Sequence, residues 1–261
     1  MKKLWIFGDS YGVHVAQDPK KITPWFWAYT LAKKLKCDTY ENHCQMGVSN
    51  EYIQHLIKEN QDNISKDDYV IVITTSIMRR WFFEDKPFVS NFYINNFNEC
   101  VTPEEYESVR RYVVHLNNPK LNDIYFESFL GWLHYNSIKN DWNMIVLPGF
   151  ESDGYPISFK YNVTGSLFDI CSNEFYSEKD STWFYNVYSN KRDKRAGHLL
   201  KDNHKILCNK IYKTFVNNID LDLQTGFLEK VIRKDNTSFL NNQINELNLS
   251  NNFVKGFIPN I

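Results

Sequence analysis

Apolar positions along this chain follow two rhythms. The first is the short unbroken run: residues 4–7 (Leu-Trp-Ile-Phe), 69–74 (Tyr-Val-Ile-Val-Ile-Thr) and 144–147 (Met-Ile-Val-Leu). These runs are brief, rich in β-branched and aromatic residues, and two of them are closed by Gly8 and by Pro148-Gly149. They predict strands covered on both faces. A further strand is predicted over 39–43. The second rhythm is three- and four-residue spacing. Trp25, Ala28, Leu31, Ala32 and Leu35 predict a helix over 24–36, with Pro24 in its first turn. Ile53, Leu56 and Ile57 predict another over 50–59, and Leu207, Ile211 and Phe215 a last one over 201–216. Strands and helices alternate, which predicts an α/β fold: a three-layer α/β/α sandwich with a mostly parallel sheet.

Three stretches interrupt that alternation. Residues 85–140 read as a helical insert. Pro103-Glu104-Glu105 opens one helix there, and 126–138 holds a second. Residues 152–190, rich in Ser, Asp, Asn and Tyr, read as a loop. The main domain is therefore taken as 1–216, and 217–261 as an appended tail. In the tail, Phe227, Leu228, Val231 and Ile232, then Phe239, Leu240, Ile244 and Leu247, recur at helical spacing. Leaving so much apolar surface in water is costly, so the tail is expected to dock. Its own domain is one surface for it; a second copy or a protein partner is the other.

Composition narrows the class. Of 261 residues, 43% are hydrophobic and 23% charged, which fits a folded globular chain and excludes general disorder. Thirty basic residues against 31 acidic ones give a net charge of −1, so nothing favours a nucleic-acid partner. The longest uncharged apolar stretch, 69–78, falls short of the roughly 20 residues a membrane span needs. Met-Lys-Lys before four apolar residues is a first strand rather than a signal peptide. Five cysteines, an odd number with no CxxC pair, fit a reducing compartment, and a cytoplasmic location is expected. An aromatic content of 16% serves core packing or, more sharply, a glycan or partner surface.

Three places could carry chemistry. Gly8-Asp9-Ser10 closes the first strand, where ligands bind in open parallel sheets. Ser10 is there either a nucleophile or part of an ordinary capped turn. Gly47-Val48-Ser49-Asn50 follows the second strand; Gly47 lets its N–H approach a ligand, and Asn50 suits an N-cap. Asp193 and His198 precede the last helix and could supply a general base and its orienting carboxylate. His204 falls inside that helix and is expected to be packed. The other five histidines have no ligand-like spacing, so neither a metal nor a cofactor is expected. No GxGxxG or GxxxxGK[ST] follows a strand, which argues against a nucleotide site.

Taken in order, these blocks resemble the SGNH (GDSL-like) hydrolases, and most of all the divergent members in phage and bacterial genomes. The resemblance covers about residues 1–216. It implies an SGNH or flavodoxin-like fold and a serine esterase or acetylesterase acting on small acyl esters, including O-acetylated glycans. It implies Ser10 as nucleophile, His198 as base, Asp193 as acid, and the amides of Ser10 and Gly47 as oxyanion donors. Two positions depart from the family. The third block usually brings an Asn that donates to the oxyanion. Here the chain reads Thr74-Thr75-Ser76-Ile77-Met78-Arg79, so Ser76, Thr75 or Arg79 replaces that donor or none does. The family's acid lies three residues before the histidine, where this chain has Arg195. The alternative is a weakly active or non-catalytic binding or structural protein of the same fold, such as a phage-particle component. On that reading the chain is virion-associated.

Overall fold

The structure, a computed structural model, describes residues 1–13, 25–87, 101–150, 155–173, 199 and 201–228. Its centre is a four-stranded sheet of β1 (Lys3–Gly8), β2 (Thr39–Cys44), β3 (Tyr69–Ile73) and β4 (Asn143–Leu147), in the order β2-β1-β3-β4. All three pairings are parallel. Parallel neighbours cannot be joined by a hairpin, so each connection crosses a face of the sheet. Helix α1 (Trp27–Lys34) follows β1 and α2 (Asn50–Asn60) follows β2. Helices α3 (Pro103–Arg111) and α4 (Pro119–Lys139), joined by a π-helical turn at Tyr112–Leu116, lie between β3 and β4. Helix α5 (Leu167–Asn173) and helix α6 (Lys201–Asn217) are the remaining α-helices among the described residues.

Alternation of side chains across the pleat divides the core in two. Leu4, Ile6, Ile71, Ile73, Ile145 and Leu147 point to one face, where Trp27, Leu31, Leu207 and Ile211 of α1 and α6 cover them. Trp5, Phe7, Val70, Val72, Met144 and Val146 point to the other, under Ile53 and Ile57 of α2 and Phe129, Leu130 and Leu133 of α4. The molecule is thus the α/β three-layer sandwich that the unbroken apolar runs predict. No described helix is long and apolar enough to cross a membrane.

Several boundaries move. Helix α1 starts at Trp27, after an uncapped Phe26, and Pro24 lies outside the described residues. Helix α4 begins at Pro119, capped by Asn118, well before the expected residue 126. The loop expected over 152–190 contains β5 (Val163–Thr164) and α5. Ser166 and Asp169 build the start of α5 reciprocally: the Asp169 N–H donates to Ser166 Oγ (3.1 Å) and the Ser166 N–H to Asp169 Oδ2 (3.0 Å). β5 pairs in parallel with β6 (Leu221–Asp222), and Leu221 and Leu223 are buried in the α1/α6 core. The first part of the tail, up to Leu228, therefore packs against its own domain, with Leu221 and Leu223 in the core. The apolar positions expected at 231–247 lie outside the described residues.

The amino-terminal edge of the sheet is tied by one carboxylate. Asp68, 1% exposed, accepts from the backbone N–H of Lys3 (2.7 Å) and Ser65 (3.0 Å) and from the Trp5 indole N–H (3.0 Å). On edge strand β2, the His43 ring stacks on Phe7 and Trp5, and its Nε2 is buried without a hydrogen bond. Burial holds its pKa below the ordinary 6.5, against the opposing pull of Glu41.

Two outcomes follow from these contacts. Asp68→Ala strands three donors, two of them backbone, and should cost about 3 kcal/mol of unfolding free energy, read as a lowered urea midpoint at unchanged m. Asp68→Asn, which keeps an acceptor oxygen, should cost less; equal stability of wild type and Asp68→Ala would refute the tie. For His43 the fold favours the neutral ring, so the unfolded chain binds more protons in the window just below 6.5. Its contribution is complete above that value and is lost as pH falls below it. Thermal melts should show wild type losing stability in that window faster than His43→Gln.

Candidate active site

Parallel pairing sends the carboxyl ends of β1, β2, β3 and β4 to one edge. Ser10, Gly47, Ser76 and Gly149 all follow directly on those ends. β1 ends on Gly8, where a side chain would not fit: a Cβ would stand 2.6 Å from Ile73 Cβ. Asp9 then caps a 3-10 turn, Ser10–Gly12, its carboxylate accepting from the Tyr11 N–H at 3.1 Å. Gly12 N–H to Asp9 O (3.1 Å) and Val13 N–H to Ser10 O (3.2 Å) close the turn. Ser10 is half-buried between fully enclosed Asp9 and Tyr11. Ser10 thus opens a hydrogen-bonded turn at the carboxyl edge of the sheet.

The β2 loop is joined to this turn through Gln45 N–H to Gly8 O, 3.0 Å. Gly47 adopts φ +77°, a left-handed turn that glycine enters without strain. The helix that follows is capped by Ser49, whose Oγ accepts from the Tyr52 N–H. Asn50, expected as the cap, is instead the first helical residue. Its buried side chain reads the β3 loop like a neighbouring strand: Nδ2 donates to Thr75 O (2.9 Å) and the Thr75 N–H donates to Oδ1 (2.9 Å). A cap needs only one acceptor, whereas Asn offers both a donor and an acceptor, and this position uses both.

The β3 loop holds what the sequence could not show. Asp9, 0% exposed, receives Arg79 Nη1 (3.2 Å) and Thr75 Oγ1 (3.2 Å) on its Oδ2. Arg79 Nη1 also donates to Thr75 Oγ1. Burial pushes the Asp9 carboxyl up, while Arg79, the Tyr11 N–H and the Thr75 hydroxyl pull it down. Thr75 and Arg79 are both buried on Asp9, so of the three candidate replacements for the missing Asn only Ser76 keeps a half-exposed side chain. Its Oγ accepts from the Met78 N–H at 3.3 Å, which leaves the hydroxyl proton to donate. The β4 loop closes the far side, where Tyr155 O–H and Thr74 Oγ1 lie 2.9 Å apart and the Gly149 N–H meets Thr74 Oγ1 at 3.4 Å.

Asp193 and His198 lie outside the described residues. Leu199, next in sequence, is buried in the core cluster that includes Tyr11. His204 is 1% exposed on α6, with ring centroids 5.1 Å from Trp25 and 5.4 Å from Phe26. That is a packing position. The thiols of Cys37 and Cys208 are pushed up to about 11 by burial and stay protonated at neutral pH. Among the described residues no group of three or more His, Cys, Asp or Glu is gathered to hold a metal ion.

No family model matches the chain, and neither does any curated protein. Among solved structures it is similar to phospholipase A1 from Streptomyces albidoflavus NA297, with TM-score 0.32 and 9% identity over 60% of this chain and 63% of that one. It is also similar to an extracellular lipase from Streptomyces rimosus, with TM-score 0.31 and 12% identity over 61% and 64%. The chain thus matches under two thirds of the length of either enzyme.

The double bond of Asn50 to the Thr75 backbone gives a direct test. Asn50→Ala leaves a buried N–H and a buried C=O without partners and should cost about 2–4 kcal/mol. Asn50→Asp retains the acceptor for the Thr75 N–H but sets a carboxylate against the Thr75 carbonyl, and should be destabilised too. Chemical denaturation of both variants checks this; an unperturbed Asn50→Ala would show that the pairing contributes nothing.

Proposed function

We propose that this chain is a serine-dependent ester hydrolase. The observation that carries the reading is the Ser10 turn: a half-buried serine at the carboxyl end of a central parallel strand, on a backbone fixed by a buried capping carboxylate. Ser10 is the nucleophile in this proposal. His198 takes the Ser10 hydroxyl proton as Oγ attacks the ester carbonyl carbon, and Asp193 orients the imidazole. The amides of Ser10 and Gly47 and the Ser76 hydroxyl receive the oxyanion. The C–O bond of the ester then breaks, and His198 returns the proton to the leaving alcohol. Water, deprotonated by His198, hydrolyses the acyl-enzyme and regenerates Ser10. The resemblance to SGNH hydrolases supports small acyl esters, including O-acetyl groups on sugars, as substrates.

The β3 loop favours a second reading, a weakly active or non-catalytic binding or particle component. Its first residues, 74–87, carry no Asn, and it uses Thr75 and Arg79 internally. Loss of one oxyanion donor costs about 2.7–4 kcal/mol, or a factor of 10²–10³ in kcat. That penalty lowers a rate without abolishing it, so the hydrolase reading stands ahead.

Incubation with a fluorophosphonate probe and mass spectrometry of the labelled peptide tests the choice. Label on Ser10 is the expected result. Ser10→Ala should lose the label and the turnover of p-nitrophenyl acetate while melting within a few degrees of wild type, since removing one half-buried hydroxyl costs no more than about 1 kcal/mol. His198→Ala should lose as much activity as Ser10→Ala, because members of one catalytic unit act together. His204→Ala should melt lower yet keep its turnover. Absence of label on the folded wild type would remove the hydrolase reading in favour of the second one.

A further inference from the structure

We propose that Arg79 is a positioning residue for Ser10, holding the nucleophile's turn through Asp9 rather than touching substrate. This rests on the hydrolase reading. Three loops at the catalytic edge meet on one guanidinium. Nη1 reaches Asp9 Oδ2 of the β1 loop at 3.2 Å and Thr75 Oγ1 of the β3 loop. Its Cζ lies 4.9 Å from the centroid of the Phe150 ring, in the β4 loop. Phe150 in turn packs edge-on against Tyr11, at 5.7 Å. Arg79 is thereby linked to the Ser10 turn from both sides, by charge through Asp9 and by ring contact through Tyr11.

A purely structural account explains this less well. Replacing a buried ion pair by apolar residues of similar volume is often neutral or stabilising, so stability alone gives little reason to keep one. The division of labour on Asp9 supplies a reason. One oxygen, Oδ1, accepts from the Tyr11 N–H and shapes the turn. The other, Oδ2, is fastened by Thr75 and Arg79. Removing the guanidinium leaves a buried carboxylate without its counter-charge. The carboxylate then turns toward water or takes a proton, and in both cases its bond to Tyr11 loosens and the hydroxyl of Ser10 shifts. A displacement near 1 Å can cost about 10²-fold in rate. Arg79 is only 3% exposed and is covered by Phe150, so substrate affinity should not change.

The test compares wild type with Asp9→Asn, Arg79→Met, Arg79→Lys and the double variant Asp9→Asn/Arg79→Met. The readouts are the rate of fluorophosphonate labelling at Ser10, kcat and KM for p-nitrophenyl acetate, and the melting temperature. Arg79→Met is expected to slow labelling and lower kcat by about 30- to 100-fold with KM within about twofold. Arg79→Lys, which restores the charge without the planar fork, should recover part of the rate. The double variant should be no slower than Arg79→Met, because the two side chains act as one unit. A folded Arg79→Met that labels at the wild-type rate, a loss confined to KM, or additive losses in the double variant would each overturn the proposal. Should Arg79→Met not fold, Arg79→Lys decides: labelling slowed at least about threefold at unchanged KM supports it, and the wild-type rate overturns it. A wild type that neither labels nor turns over removes the hydrolase reading and this inference with it, whereas labelled wild type with equally labelled Arg79→Met removes the inference alone.

Discussion

Everything in this fold depends on the parallel pairing of β1 with both β2 and β3. A parallel neighbour can be reached only by crossing a face of the sheet, so the chain lays α1, α2 and the α3–α4 insert over the two faces. The same rule sends every strand end that follows to a single edge. Residues as far apart in sequence as Ser10, Gly47 and Ser76 therefore share that edge without any long-range signal between them. Burial on both faces also explains why the strands can be so short. In β1, β3 and β4, five or six residues suffice because alternate side chains enter two separate cores.

The two ends of the sheet solve the same electrostatic problem differently. Each carries a fully enclosed aspartate, and each carboxylate must recover the hydration it loses. At the amino end Asp68 does so with two backbone N–H groups and an indole, all uncharged donors. At the carboxyl end Asp9 takes one backbone N–H, a hydroxyl and a full guanidinium. Neutral donors satisfy a carboxylate locally. A long cationic side chain does so from another loop, and it couples the position of that loop to the carboxylate. The charged solution stands beside the candidate nucleophile, and the neutral one stands at the end where no chemistry is proposed.

The sequence made β1, β3 and β4 legible because two-sided burial leaves an unbroken apolar run. It made α1, α2 and α6 legible because each buries one stripe. Helix α4 was only half legible: Leu121, Ile124 and Tyr125 are exposed while Asn122 and Asn136 are buried, so its polarity does not follow its faces. Helix α5 was missed although Ser166-Leu-Phe-Asp169 is a capping signal, because the surrounding polar residues masked it. At the site, Ser10 and Gly47 were readable from their places after strands. The Asp9–Arg79 pair was not, since its members are 70 positions apart and no periodicity links them. The Asn50–Thr75 pairing escaped for the same reason, with the added disguise that Asn before a helix looks like a cap.

The altered β3 loop is better understood as an exchange than as a loss. In the family that the sequence resembles, this loop sends an amide side chain toward the oxyanion. Here Thr75 and Arg79 turn inward and are used up on Asp9, the residue before the candidate nucleophile, while Ser76 stays half-exposed. An oxyanion donor acts on the transition state directly, whereas a clamp acts only on the geometry of groups that do. The first contributes about 2.7–4 kcal/mol, and the second no more than the cost of the disorder it prevents. On the proposed hydrolase reading, this chain keeps a serine at the strand end beside an oxyanion site in which the Ser76 hydroxyl stands for the amide. A weaker donor there would favour esters with good leaving groups, for which less charge must be stabilised on the carbonyl oxygen as the bond to the alcohol breaks.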